Sequence, residues 1–187
     1  MSQTRILVTG ADGFIGKNLR VALGERAGVE VLPIHRASSD AALGEAVAAA
    51  DAVIHLAGVN RPQNLAEFAV GNADFTAHLC ARLAATGRPV PVAFASSIQA
   101  ERDNPYGASK RSAEDHLRRY GEASGAPVAL YRFANVFGKW SRPDYNSAVA
   151  TFCHNIARGL PVRIDDPSAP VRLIYIDDVS AELLRFL

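Results

Sequence analysis

The sequence predicts an α/β protein, a doubly wound parallel sheet wrapped by helices, and three observations carry that expectation. Short β-branched apolar runs alternate with longer Ala- and Leu-rich stretches of helical period, with turn residues between them. Each run is nearly continuous in apolar residues, as strands covered on both faces should be. The first run ends in a cluster of glycines that opens a helical stretch.

Taken in order, strands are expected at residues 5–9, 29–34, 52–56, 90–95 and 128–132, with helices at 14–25, 40–49, 64–85 and 107–124 between them. Past Phe133 the pattern becomes less regular. It holds Trp140, Pro143, a helix near 147–158, a short extended piece at 171–176 and a last helical segment from Asp177. That segment carries Val179, Leu183, Leu184 and Phe186, an apolar set that needs something to pack against. No internal repeat or low-complexity linker marks a clean boundary.

The glycine cluster reads Thr9-Gly10-Ala11-Asp12-Gly13-Phe14-Ile15-Gly16. Glycines at this spacing let the chain turn tightly, bring backbone N–H groups against a pyrophosphate and pack the next helix close to the strand. Its position between a strand and a helix is the context that gives the motif meaning. An NAD site normally has an acidic residue about 20 residues further on to hold the ribose 2′-OH. Here His35-Arg36 closes the second strand and no carboxylate stands there. Arg36 can fork onto a 2′-phosphate and Ser38 can add a hydrogen bond, so NADPH is the expected cofactor. A solvated arginine at a strand end is the plain alternative.

Tyr106-Gly107-Ala108-Ser109-Lys110 places a phenol and an ammonium four residues apart, on one face of a helix that starts after Asn104-Pro105. A neighbouring ammonium is expected to lower the phenol pKa and make Tyr106 a usable proton donor or acceptor. Ser96 and Ser97 end the fourth strand, at the carboxyl edge where such sheets bind ligands, so a hydroxyl is expected beside the phenol.

Composition narrows the partners. Against 19 Asp+Glu stand 20 Lys+Arg, a formal charge of +1, so the field of a nucleic-acid or anionic-membrane binder is missing. Cys80 and Cys153 lie far apart and form no cluster with the histidines, so a metal site is not expected. The stretch 41–59 carries Glu45, Asp51 and His55, which a spanning helix would hardly tolerate. With no signal-peptide core near Met1, a cytoplasmic location is expected.

These residues together resemble the extended short-chain dehydrogenase/reductase family, with its glycine turn, Ser or Thr, and Tyr-x-x-x-Lys. Within it, Ser96-Ser97-Ile98-Gln99-Ala100, Asp103-Asn104-Pro105-Tyr106-Gly107, Phe137-Gly138-Lys139-Trp140 and Tyr145-Asn146-Ser147 look like the CapF-type enzymes of capsular-polysaccharide and O-antigen synthesis. The resemblance implies a Rossmann-like sheet and NADPH-dependent reduction of a 4-keto-6-deoxy UDP-N-acetyl amino sugar. It also implies roles. Gly10, Gly13 and Gly16 would hold the pyrophosphate, with Phe14 and Ile15 closing the turn. His55, Leu56, Ala57 and Gly58 would border the adenosine and nicotinamide ribose side, Asn72 would support the proton relay, and Lys110 would bond the nicotinamide ribose while tuning Tyr106. Ser97, Asn135, Asn146 and Ser147 would touch the sugar nucleotide.

Three departures from the family pattern stand out. Only one helix separates the second and third strands, Val171-Arg172 stands where an Arg-Asp pair is usual, and the chain stops at Leu187 with no cupin domain. The expected organisation is a cofactor-binding part over 1–135 and a partial, apparently truncated substrate-binding region over 136–187. The first part is expected to fold alone, and the last helix to leave an apolar patch that favours self-association, a homodimer among the outcomes. An NAD-retaining nucleotide-sugar epimerase or dehydratase, or a non-catalytic NADP-sensing module, are the competing readings.

Overall fold

The computed structural model describes residues 3–187. In chain order it holds β1 (Thr4–Thr9), α1 (Phe14–Gly24), β2 (Val29–Ile34), α2 (Asp40–Ala49), β3 (Ala52–His55) and a short α3 (Ala66–Phe68). A π-helical turn (Ala69–Asp74) leads into α4 (Phe75–Ala85), then β4 (Val92–Ser97), a 3-10 turn (Ile98–Glu101), α5 (Pro105–Ser124) and β5 (Val128–Phe133). The chain continues through β6 (Asn135–Phe137), α6 (Ala148–Ile156), β7 (Leu173–Tyr175) and α7 (Ile176–Arg185).

Five strands form one parallel sheet in the order β2-β1-β3-β4-β5. β1 pairs with β2 on one side and β3 on the other, so the winding reverses between the carboxyl ends of β1 and β3. Ligands bind at such a reversal in open α/β sheets. Alternate side chains of the strands enter two separate cores. Leu7, Val53, Val92 and Phe94 meet Leu43, Leu79, Leu83 and Leu117 of α2, α4 and α5. On the other face Ile6, Val8, Ile54 and Ala93 meet Leu19 and Leu23 of α1 and Ile176, Val179 and Leu183 of α7. The apolar continuity of the strands thus has its cause in helices on both faces.

Three features depart from the sequence expectation. The helix expected at 64–85 is broken by the π-turn, where Gly71 lets the chain close on Val59: a Cβ on Gly71 would lie 2.4 Å from the Val59 Cγ2. β6 was not anticipated and pairs in parallel with β7. Most consequential is α7, whose Val179 and Leu183 are fully buried beside α1. The patch expected there does not exist, and without α7 that face of the sheet would keep only the cover of α1. Exposed apolar side chains lie instead at Ile156, Leu160, Ile164, Val171 and Leu173. Leu183→Ala is expected to cost about 2–5 kcal/mol of stability. Urea unfolding reads this, and an unshifted midpoint would contradict the packing of α7. No helix among the described residues is long and apolar enough to cross a membrane.

Candidate active site

The glycine turn is shaped by steric necessity. Gly10 has φ +66°, and a Cβ there would lie 2.7 Å from the Ala57 backbone N, so the loops after β1 and β3 touch backbone to backbone. A Cβ on Gly16 would lie 2.4 Å from the Gly10 carbonyl oxygen, so only glycine lets α1 seat against the turn. Gly13 stands at the N-cap of α1 and offers no side-chain acceptor, which leaves the first-turn N–H groups open to an anion. Phe14 and Ile15 begin the helix and pack partly into the α1/α7 core.

At the end of β2, His35 Nδ1 lies 2.7 Å from Asp12 Oδ2, which joins this strand end to the glycine turn. The His35 N–H donates to Ser38 Oγ at 3.0 Å. Arg36 is exposed and makes no ion pair among the described residues.

A directional chain of hydrogen bonds runs beneath the cleft. Ala57 N–H donates to Thr9 Oγ1 (3.2 Å), whose hydroxyl faces His55 Nδ1 at 2.6 Å. His55 Nε2 lies 2.9 Å from Thr76 Oγ1, and Thr76 donates its proton to the Asn72 carbonyl at 2.6 Å. Since the Thr76 proton is committed, His55 carries its hydrogen on Nε2 and accepts at Nδ1. Burial, helped by the Lys110 charge, pushes His55 down to about 3, so it stays neutral. Asn72, in the π-turn, donates from Nδ2 to the Val59 carbonyl (3.0 Å) and to Ser109 Oγ (2.9 Å), and accepts the Val59 N–H at Oδ1 (2.7 Å). It ties the loop after β3 to α5. A Cβ on Gly58 would lie 2.8 Å from Asn72 Oδ1 and 3.2 Å from Lys110 Nζ, so both groups line one hollow above that glycine.

α5 begins with Asn104, whose Oδ1 accepts the Gly107 N–H at 2.7 Å, followed by Pro105 in the first turn. This cap sets Tyr106 in the first helical turn, next to the Ser97 hydroxyl at the end of β4. One turn on, buried Lys110 donates to the Ala95 carbonyl at 3.0 Å and lies 4.7 Å from the centroid of the Phe94 ring. The expectation that Lys110 lowers the Tyr106 pKa is not met. Burial raises the Tyr106 pKa and the Ser97 hydrogen bond only partly offsets it, because the ammonium is engaged with β4. Lys110 itself is pushed down to about 8 by burial, with Glu114 opposing the fall.

The profile of the NAD dependent epimerase/dehydratase family matches residues 6–187. This chain belongs to that family. It is 52% identical over 183 residues to a UDP-2-acetamido-2,6-beta-L-arabino-hexul-4-ose reductase of Pseudomonas aeruginosa, covering 98% of this chain and 49% of the reductase. Among solved structures it is similar to the capsular polysaccharide assembling protein CapF of Staphylococcus aureus, with a TM-score of 0.86 and 42% identity over 96% of this chain and 49% of that one. A UDP-glucuronic acid 4-epimerase of Bacillus cereus, at 21% identity and a TM-score of 0.83 over 96% of this chain and 72% of that one, shares the fold. The chain spans about half the length of the reductase and of CapF.

As an epimerase/dehydratase-family site, the cleft fits a dinucleotide: the turn leaves no room for a Cβ at Gly10 or Gly16, and the start of α1 has no side-chain cap. Ser97 ends β4, and Gly10, Gly13, Gly16, Ala57, Gly58, Asn72, Tyr106 and Lys110 sit on the turns and helix starts beyond the carboxyl ends of β1, β3 and β4. The expected sugar-side residues are more dispersed. Asn135 donates from Nδ2 to the Arg172 carbonyl at 3.0 Å and so knits β6 to β7. Ser147 caps α6, accepting the Ala150 N–H, and Asn146 accepts from Arg61 Nε at 2.9 Å. Sequence reasoning overlooked Arg61 and gave Tyr145 no role of its own: the guanidinium lies 5.4 Å from the Tyr145 ring centroid, and Tyr145 donates to Asn60 Oδ1. These contacts pin loop 142–147 onto the loop after β3, and a lone arginine 85 residues from its partner gives no signal in the sequence.

Proposed function

We propose that this chain carries the cofactor-binding and proton-donating part of an NADPH-dependent reductase. Its substrate is the 4-keto group of a 6-deoxy UDP-N-acetyl amino sugar, in capsule or O-antigen precursor synthesis. The observation that carries the reading is the meeting of Ser97, Tyr106 and Lys110 beside the glycine cradle, together with 52% identity to the Pseudomonas aeruginosa reductase. Bound NADPH supplies the hydride. The Tyr106 phenol, its pKa raised by burial, stays protonated near neutrality and donates its proton to the carbonyl oxygen as that oxygen becomes an alkoxide. Ser97 donates a hydrogen bond to the same oxygen, and Asn72 holds the loop that shapes the ribose side. A raised phenol pKa suits a proton donor better than the initial base that an NAD-retaining epimerase requires.

Residues 1–135 form the cofactor part in this reading. Residues 136–175 contribute to the sugar side, while α7 belongs physically to the cofactor sheet. The protein acts in the cytoplasm, and a homodimer belongs to the same proposal. Incubation with NADPH and a panel of UDP- and dTDP-4-keto sugars, following cofactor oxidation and product mass, tests it. A 4-hydroxy product from a UDP-amino sugar is expected; no reduction of any keto sugar would sink the reading.

NADPH is expected to bind more tightly than NADH, since Arg36 stands where a carboxylate would favour NADH. Arg36→Ala removes a charge-assisted contact and should weaken NADPH by about 1.5–3 kcal/mol while leaving NADH nearly unchanged. Parallel titrations with both cofactors check this, and equal affinities would point to NAD.

A further inference from the structure

Glu114 is a fully buried carboxylate, one turn beyond Lys110 on α5, that the chemistry above does not use. Oε1 accepts from Ser96 Oγ at 2.5 Å and Arg132 Nε at 2.9 Å, and Oε2 from Arg132 Nη2 at 2.6 Å and Arg118 Nη2 at 3.0 Å. Both oxygens are thus saturated by donors from three elements: β4, α5 and β5. Arg132 also reaches Glu101 Oε1 at 3.0 Å, in the 3-10 turn that follows Ser97. Ser96 immediately precedes Ser97, and Tyr106, Lys110 and Glu114 follow one another at four-residue intervals along α5. A carboxylate buried with two guanidiniums is expensive to desolvate, and replacing such a group by apolar side chains often gains stability. A fold that needed only packing here would have no use for it.

We propose that Glu114 is a positioning residue: it holds the Ser97 strand end and the Tyr106–Lys110 turn of α5 in register and supplies the counter-charge for the buried Lys110 ammonium. The inference rests on the reductase reading only for the word positioning; the electrostatic link is a property of the folded chain. The groups that face this pair are few. On α5 they are Tyr106, Arg118 and Asp115, which pairs with Arg118 at 2.8 Å. Arg132 comes from β5, Glu101 from the turn after β4, and neutral His55 from β3. Burial pushes the Glu114 carboxyl up, but Arg132, Ser96 and Arg118 more than offset this and hold it below the ordinary carboxylate value. The carboxylate is therefore charged wherever Lys110 titrates.

The experiment follows the Lys110 ammonium by NMR in protein labelled at the lysine ε-carbon, without cofactor. Lys17, Lys110 and Lys139 are the lysines of the chain, and Lys139, paired with Asp177, is raised where Lys110 is lowered. Glu114→Gln removes the anion and leaves both guanidiniums, so the Lys110 midpoint should fall by about one pH unit. Arg132→Gln removes a cation and leaves the carboxylate less neutralised, so the midpoint should rise. A purely structural role gives no reason for opposite shifts. Midpoints that move the same way, or do not move, would overturn the proposal; if Glu114→Gln does not fold, a midpoint that fails to rise in Arg132→Gln does so alone. Turnover of Glu114→Gln should drop by up to about 10²-fold with its alkaline limb displaced to lower pH, while NADPH affinity changes little. An unaltered chain with no turnover would count against the reductase reading, and the Lys110 titration would still decide this one.

Discussion

Tyr106→Phe is expected to reduce turnover by about 10²- to 10⁴-fold, the span that general acid groups commonly supply. The substitution is clean. The ring packs at 5.5 Å, centroid to centroid, against Phe68, and phenylalanine keeps that contact while losing only the hydroxyl beside Ser97. Fold and cofactor affinity should survive, which calorimetric titration with NADPH establishes in the same preparation. Activity within a few-fold of the unaltered protein would mean that another group donates the proton.

Lys110→Met should lose at least as much turnover and also weaken the cofactor, because it deletes both the buried positive charge and the donor proposed to bond the nicotinamide ribose. Its pH signature separates it from Tyr106. The lysine pKa is pushed from 10.5 down to about 8 by burial, so activity that depends on the ammonium should fall above about pH 8. The phenol, raised above its usual value, stays protonated through that window and cannot be the source of the limb. Stability moves the other way. A lysine with a depressed pKa in the folded state disfavours folding at and below pH 8, and this penalty is relieved as pH rises from about 8 toward 10.5. Lys110→Met should remove that rise from the pH dependence of denaturant midpoints. A limb that persists in activity after Tyr106 and Lys110 are intact but Glu114 is charge-neutral would sit at lower pH.

The strands were readable because burial on both faces leaves a mark in composition: Ile6-Leu7-Val8 and Val53-Ile54 admit nothing polar. Glycines 10 and 16 were readable because their spacing after a strand is a local pattern, although what excludes a side chain at Gly10 is the Ala57 backbone, far along the chain. The π-turn was not, since hydrophobic period cannot register one extra residue in a turn, although Gly71 marks the place where the chain presses on Val59. The apolar stripe of α7 was visible while its partner was not, because α1 lies at the other end of the sequence. The sign of the Tyr106 shift also escaped: spacing puts Lys110 one turn away, but burial and the Ala95 carbonyl decide what the ammonium does. Glu114 gives no signal in the sequence, because Ser96 and Arg132, 18 residues away on either side, reach it only through the sheet.

The seating of α7 against α1 has a consequence in time. α1 ends at Gly24 and α7 starts at Ile176, so about 150 residues must be made before the sheet face carrying Ile6 and Val8, which α1 covers only in part, receives its second helix. At roughly 5–20 residues per second, that interval is roughly eight to thirty seconds of synthesis. Closing so long a loop adds little to the equilibrium cost, since that cost grows only with the logarithm of length. The delay is kinetic. While it lasts, the strip of that face and of α1 that α7 will cover is a bare apolar surface on a nascent chain, the kind of surface that chaperones hold and that neighbouring chains on one message can join.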